Sequence, residues 1–182
     1  MGDHTLAPLR HEAADPRKGK QVDKPGVHPT QALPYCPPRL SAQGIMHPED
    51  AALAMEAGVD GIIVSNHGGR QLDTAPSAVD ALPAVRRVIR GRVPLLVDGG
   101  IRRGTDIVKC LALGASAVLV GRPVLWGLAA GGRAGVERVL DILIDELRLT
   151  MQLCGATSLE RIDESVLMPG TAPRGDLWRP KL

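Results

Sequence analysis

Aromatic residues are almost missing from this chain of 182 residues, which has no phenylalanine, one tyrosine and two tryptophans. Trp126, within the apolar run GRPVLWGLA, is expected to pack in a core or an interface rather than against a ligand. Cysteine is also scarce. The three cysteines lack the spacing of a disulfide framework or a zinc site, so we expect a reducing compartment and no bound metal.

An excess of one charge and a long apolar run are absent as well. Lys and Arg number 22 against 20 for Asp and Glu, and the net charge of +2 gives no basic stripe for nucleic acid. No uninterrupted apolar segment approaches the roughly 18 residues of a membrane helix, and the N-terminus lacks the apolar core of a secretory signal. These absences predict a soluble, intracellular protein that neither spans a membrane nor binds nucleic acid.

The composition changes near residue 40. Seven of the 15 prolines fall within the first 39 residues, where charged residues are frequent and no apolar periodicity is present. Such a segment buries too little apolar surface to offset the entropy lost on ordering. We therefore predict a disordered or unrelated segment at 1–43, a folded region at 44–168 and a flexible tail at 169–182.

The folded region alternates between extended and helical patterns. Short apolar runs typical of buried strands occur at 59–65, 93–98 and 116–121. Helical patterns occur at 48–57, 77–90, 104–113 and 136–151. The second of these helices is expected to bend or break at Pro83. The alternation predicts an α/β fold with a parallel sheet.

Unusual residues follow the carboxyl end of each predicted strand, in the stretches SNHGGRQLD, DGGIRRG and GRP. Glycines allow backbone N–H groups to approach an anion, and Arg102, Arg103 and Arg122 supply positive charge. In (β/α)8 barrels, a phosphate commonly binds at the loops that follow the last two strands. We therefore interpret these strands as the last three of such a barrel, with a phosphate site at their carboxyl ends.

The first of these loops holds His67 and Arg70. Taken alone, such a histidine is more often structural, and such an arginine is more often a solvated surface charge. Their joint position at the functional end of a strand favours a site. Arginine binds a carboxylate through two hydrogen bonds, and histidine exchanges a proton near neutral pH.

Three stretches resemble one known family. They read GIMHPEDAALAMEAGVDGIIVSNHGGRQLD, LLVDGGIRRGTDIVKCLALGASAVLVGRPVLWGLA and GVERVLDILIDELRLTMQLCGATSLERI. They are similar to the C-terminal half of the FMN-dependent 2-hydroxy acid oxidases and dehydrogenases, a group that contains glycolate oxidase and the flavin type of lactate dehydrogenase. The resemblance extends over about 44–168 and implies a partial (β/α)8 barrel, made of the last three β/α units and a C-terminal helix.

The resemblance also implies a role for each residue of the motifs. His67 would remove a proton from an (S)-2-hydroxy acid while two electrons pass to FMN, and Arg70 would bind the substrate carboxylate. The implied FMN contacts are Gln43, Ser65, Asp98, Gly100, Arg102, Gly121 and Arg122, the last four of these at the phosphate. Oxygen or another acceptor would then take the electrons, and full-length relatives often form homo-oligomers.

Three features depart from the family pattern. Gln43 stands where the family has a lysine whose charge stabilises reduced flavin. The segment RLSAQ replaces an apolar strand, and three of a barrel's eight strands are recognisable. These departures support a second hypothesis, a truncated and non-catalytic relative that binds FMN weakly or only within an assembly. A third hypothesis, an inosine monophosphate dehydrogenase-like barrel, leaves SNHGGRQLD unexplained.

The final residues, RPKL, resemble the serine-lysine-leucine signal for peroxisomes, with Pro180 where a small residue belongs. Several eukaryotic members of the family are peroxisomal. The expected location is therefore the peroxisome or the cytoplasm.

Overall fold

The computed structural model describes residues 39–168. The predictions of a disordered N-terminal segment, a flexible tail and a peroxisomal signal fall wholly or mostly on residues 1–38 and 169–182, outside the described residues. Within residues 39–168, no helix is both long and apolar enough to cross a membrane.

Four parallel strands form one sheet in chain order: β1 (Ser41–Gln43), β2 (Gly61–Val64), β3 (Leu95–Asp98) and β4 (Ala117–Leu119). The α/β class and the three strands expected from apolar runs are confirmed, although each strand is shorter than predicted. β1 is not predicted, because it is an edge strand with polar residues. Its Ser41 and Gln43 are exposed, and only Ala42 is half-buried.

A helix follows each strand: α1 (Pro48–Glu56), α2 (Ala78–Ile89), α3 (Gly104–Ala112) and α4 (Arg122–Leu153). Three short 3-10 turns occur at His67–Gly69, Leu159–Arg161 and Glu164–Val166. The described residues thus hold four consecutive β/α units, one more than the sequence predicts. This arrangement is a partial (β/α)8 barrel.

The helices cover one face of the sheet. The strand residues that face them are almost fully buried and form a core with α2: Ile62, Val64, Leu95 and Val97. On the opposite face, Ile63 and Leu96 are only half-buried, and Leu119 is exposed. This open face is the one that a complete barrel would enclose.

Of the predicted bend or break at Pro83, the break does not occur, because α2 runs through this residue. A proline at this position cannot donate the usual hydrogen bond to the carbonyl of Val79. However, Ala81, Leu82 and Val85 around it are fully buried. Burial of this helix face therefore offsets the missing bond.

α4 begins far earlier than the predicted start at 136, and it consists of two helices joined at Gly131 and Gly132. The two helices approach closely where Gly127 meets Gly135. A Cβ atom on Gly127 would lie only 2.6 Å from the carbonyl oxygen of Gly135. The close approach therefore requires residues without a side chain.

Candidate active site

The loops after β2, β3 and β4 meet at the carboxyl edge of the sheet and enclose an open pocket of about 500 Å³. Eight of the nine residues that the sequence assigns to a site line this pocket: Gln43, His67, Arg70, Asp98, Gly100, Arg102, Gly121 and Arg122. The ninth, Ser65, is buried and does not line it. Residues far apart in the chain thus converge on one surface, because the carboxyl ends of parallel strands share one edge.

The loop after β2 forms a left-handed turn. Positive φ angles occur at three consecutive residues: 56° at His67, 66° at Gly68 and 71° at Gly69. Such a backbone suits glycine but strains a residue with a side chain, here the histidine. Asn66 stabilises the turn, because its Oδ1 accepts a hydrogen bond from the N–H of Gly69 at 3.2 Å. The paired glycines thus serve a turn that exposes the side chains of His67 and Arg70.

A hydrogen-bond network ties this turn to the sheet. The Oγ of Ser65 donates to Oδ2 of Asp98 at 2.8 Å and accepts from the main-chain N–H of His67 at 3.0 Å. The Nε2 of Gln43 donates to the same carboxylate oxygen at 3.3 Å. Ser65 therefore links the main chain of the histidine to Asp98.

The other carboxylate oxygen of Asp98 has no hydrogen-bond partner within residues 39–168. This Oδ1 atom is buried, and none of the described residues gives it a hydrogen bond. A buried polar atom without a partner costs about 1–3 kcal/mol, and more when it is charged. Because Asp98 lines the pocket, a hydroxyl or N–H group of a ligand could supply the missing donor.

Positively charged side chains lie beside the first turn of α4. Arg102 and Arg122 are exposed at the pocket, and Nη2 of Arg122 contacts the carbonyl of Gly68 at 3.4 Å. No side chain from residues 39–168 caps the first turn of α4, whose first residues line the pocket. An uncapped helix N-terminus beside two arginines is well suited to an anion such as phosphate.

The N-terminus of α3, in contrast, is occupied by carboxylates of the chain itself. Oδ2 of Asp106 accepts from the N–H groups of Arg102 and Arg103, both at 3.1 Å. Oε2 of Glu146 accepts from the N–H of Gly104 at 2.8 Å. These negative charges disfavour an anion at α3. Arg103, which the sequence suggests as part of the phosphate loop, does not line the pocket.

Trp126 lines the pocket and is 54% exposed, so it is not part of the core. The guanidinium carbon of Arg102 lies 5.9 Å from the centroid of the Trp126 ring, within the range of a cation–π interaction. The spacing that brings Trp126 to the pocket can be read from the sequence only once the first helix of α4 is known. Trp126 follows Arg122 by four residues in one helix, a spacing that puts both side chains on the same face.

A larger cavity of about 810 Å³ lies at the other end of the sheet, beside Leu95 and Ser116. Nη1 of Arg86, which lines this cavity, pairs with Oε1 of Glu164 at 2.8 Å. None of the nine predicted site residues lines it. Volume is therefore a weaker guide here than the convergence of reactive and charged groups at the carboxyl edge.

Comparison with known proteins gives a consistent result. The sequence model of a family described as FMN-dependent dehydrogenase matches residues 36–169. The chain is 58% identical over 128 residues to a 2-hydroxyacid oxidase of Dictyostelium discoideum. It is 56% identical over 128 residues to an L-lactate oxidase of a Nostoc strain. Each of these alignments covers 70% of this chain, but only 33% and 35% of the two relatives.

Solved structures agree with the sequence relatives. A mandelate oxidase crystallised with (S)-2-phenylpropionate is 50% identical, with a TM-score of 0.66 over 67% of this chain and 36% of that one. The same enzyme with a difluorinated phenylpropionic acid gives a TM-score of 0.67 at 48% identity, over 69% of this chain and 38% of that one. The chain thus spans about a third of the length of the curated relatives it matches.

Proposed function

The chain belongs to the FMN-dependent dehydrogenase family, and on this premise we propose that its carboxyl-edge pocket binds FMN and takes part in oxidising an (S)-2-hydroxy acid to the 2-oxo acid. The observation that carries the proposal is the convergence of His67, Arg70, Asp98 and two arginines on one pocket. The substrate class is supported by relatives named for 2-hydroxy acids and for L-lactate.

The residues of the pocket suit FMN. The buried Oδ1 of Asp98 needs a donor, and FMN carries hydroxyl groups. Cβ atoms placed on Gly100 or Gly121 would meet open space, so a ligand can approach the backbone there. Arg102, Arg122 and the first turn of α4 suit its phosphate. When bound, FMN supplies the acceptor for the two electrons that leave the substrate.

The chain's own residues would handle the substrate. Arg70 binds the substrate carboxylate through two parallel hydrogen bonds, because the planar guanidinium matches a carboxylate. A ring nitrogen of His67 accepts the proton that leaves the hydroxy acid. The left-handed turn presents both side chains at the pocket, and Ser65 holds the main chain of that turn.

A second candidate function is a non-catalytic member of the family that binds FMN weakly or only within an assembly. The open inner face of the sheet favours it, because the walls that would complete the pocket are not among residues 39–168. Gln43 also favours it, because a neutral amide replaces the positive charge expected beside reduced flavin. The two candidates differ in whether bound flavin is reduced by a 2-hydroxy acid.

A parallel titration with FMN and with riboflavin, which lacks the phosphate, tests the binding site. Arg102→Gln and Arg122→Gln should each weaken FMN binding about tenfold or more, because hydrogen bonds to charged groups contribute about 1.5–3 kcal/mol. Riboflavin binding should change little. Arg138→Gln, on an exposed position of α4, is the matched control. Unchanged FMN affinity in both pocket variants would contradict the phosphate assignment.

The remaining partners and the location are part of the same proposal. Oxygen or another acceptor would take the electrons, and the location would be the peroxisome or the cytoplasm. A relative from Arabidopsis thaliana is named as a peroxisomal (S)-2-hydroxyacid oxidase, which supports the first location. Cell fractionation of the native protein distinguishes the two compartments.

A further inference from the structure

Exposed apolar side chains are distributed unevenly over the four β/α units. The inner elements β2, β3, α2 and α3 contribute no large exposed apolar residue. The outer elements contribute several, which are 37–62% exposed: Leu53 on α1, Leu128 on α4, and Leu119, Leu125 and Trp126, which also line the carboxyl-edge pocket. Among the described residues, the inner units have a neighbour on each side, whereas each outer unit lacks one. The exposed apolar surface therefore marks two missing neighbours.

The first edge strand, β1, leaves backbone hydrogen-bonding groups unpaired within the sheet. In a parallel pair, alternate residues direct both their N–H and C=O groups to the same neighbour. The N–H of Gly44 donates to the carbonyl of Ile63, and the carbonyl of Leu40 accepts from Asp60. The backbone groups of the even-numbered residues in and beside β1 thus point toward β2. The backbone groups of Ser41 and Gln43 point to the free edge.

The other edge strand, β4, follows the same alternation. The N–H of Ser116 donates to the carbonyl of Leu95. The backbone groups of the even-numbered residues in and beside β4 therefore point toward β3. The backbone groups of Ala117 and Leu119 therefore point to the second free edge. Both edges run in the same chain direction, because all four strands are parallel.

We propose that two copies of this chain pair through these edges and close an eight-stranded parallel barrel. Four units are half of the eight that such a barrel contains. A twofold axis along the barrel brings β4 of each copy beside β1 of the other. This single rotation forms two identical β4–β1 pairings and leaves no free strand edge. All strands remain parallel in this arrangement.

The same pairing covers the exposed apolar surface. In a right-handed β/α unit, the helix that follows a strand lies over the junction with the next strand. Within residues 39–168, no strand follows α4. In the pair it lies over the junction of β4 with β1 of the second copy, which buries apolar residues such as Leu125 and Leu128. The half-buried inner face of Ile63 and Leu96 becomes the inside of the barrel.

The mass of the ligand-free chain in solution tests this proposal independently of FMN binding. Sedimentation equilibrium over the micromolar range should give twice the chain mass of 19.2 kDa. Ala117→Pro removes an N–H that faces the free edge and is not used within the sheet, so the fold tolerates it while the edge is blocked. This variant should be monomeric at concentrations at which the wild type is a dimer. Ala117→Ser keeps the N–H and should remain a dimer.

Hydrogen exchange provides a second measurement that needs no variant. The amides of Ser41 and Leu119 should be protected at high protein concentration and should exchange faster on dilution. A wild type that stays monomeric, edge amides whose exchange is independent of concentration, or a dimer that survives Ala117→Pro would each overturn the proposal. Species that keep growing beyond the dimer would overturn closure of the barrel.

Discussion

Ser65 holds the active-site turn through a single hydroxyl. It donates to Asp98 and accepts from the main chain of His67, and it is 3% exposed. Ser65→Ala would leave the partly buried main-chain N–H of His67 without this acceptor and remove a donor from the carboxylate of Asp98. We expect a loss of about 1–3 kcal/mol in the free energy of unfolding, measured with urea. Ser65→Thr keeps the hydroxyl and should retain much of the stability that Ser65→Ala loses. Wild-type stability in Ser65→Ala would show that these hydrogen bonds contribute nothing.

The neutral amide of Gln43 predicts a low reduction potential for bound FMN. It donates to Asp98 and lines the pocket, but it brings no positive charge. Gln43→Lys adds that charge, so we expect it to favour the anionic reduced flavin and to raise the midpoint potential. The potential is measured by anaerobic titration of FMN bound to each chain. An unchanged potential in Gln43→Lys would contradict the prediction.

Cys110 predicts a loss of stability in alkaline solution. Burial raises the pKa of its thiol from the ordinary 9.0 to about 11, and the nearby Asp106 carboxylate adds to the rise. Between these two values the unfolded chain ionises the thiol and the folded chain does not. The contribution of the neutral thiol to the free energy of unfolding is therefore complete below pH 9, and it is lost as the pH rises toward 11.

The loss amounts to at most about 3 kcal/mol, since one pKa unit corresponds to about 1.4 kcal/mol. Urea unfolding at a series of alkaline pH values measures it. Cys110→Ala should flatten this pH dependence, whereas Cys154→Ala, at an exposed position, should not. An equal slope in the wild type and Cys110→Ala would contradict the prediction.

At the scale of elements, the contact between Gly127 and Gly135 sets the path of α4. Gly135→Ala would place a methyl group against the backbone of Gly127 and push the two helices apart. We expect a loss of about 1–3 kcal/mol in the free energy of unfolding, the usual cost of overpacking. Ala134→Ser, at an exposed neighbouring position, should change stability little. A free energy of unfolding in Gly135→Ala equal to that of the wild type would show that the two helices are not in close contact.

Elements with strong apolar patterns were predictable from the sequence, and those formed by tertiary contacts were not. The strand of Ile62 and Val64 is a short apolar run, and its type follows from its length, its β-branched residues and the glycine before it. β1 is polar, and its strand conformation depends on pairing with β2. The first helix of α4 lacks amphipathic spacing, and it is held by the contact at Gly127. Pro83 is tolerated because its neighbours are buried.

At the scale of the whole molecule, the candidate site was largely predictable because parallel strands bring their carboxyl ends to one edge. The motifs around His67, Asp98 and Arg122 therefore had to meet once the sheet was predicted. Two features depended on three-dimensional contacts. The first is the buried position of Ser65, which is bonded to Asp98 and to the main chain of His67. The second is the contact of Arg102 with the ring of Trp126.

The proposed activity requires that this pocket binds FMN and that His67 and Arg70 act on a 2-hydroxy acid there. The most direct measurement is the visible absorbance of the chain after loading with FMN and desalting, followed by anaerobic addition of glycolate, lactate or a longer 2-hydroxy acid. We predict that flavin is retained, that at least one of these acids bleaches it, and that His67→Gln retains flavin without bleaching. Flavin that is retained but never bleached by any 2-hydroxy acid, or that is bleached equally in His67→Gln, would contradict the claim.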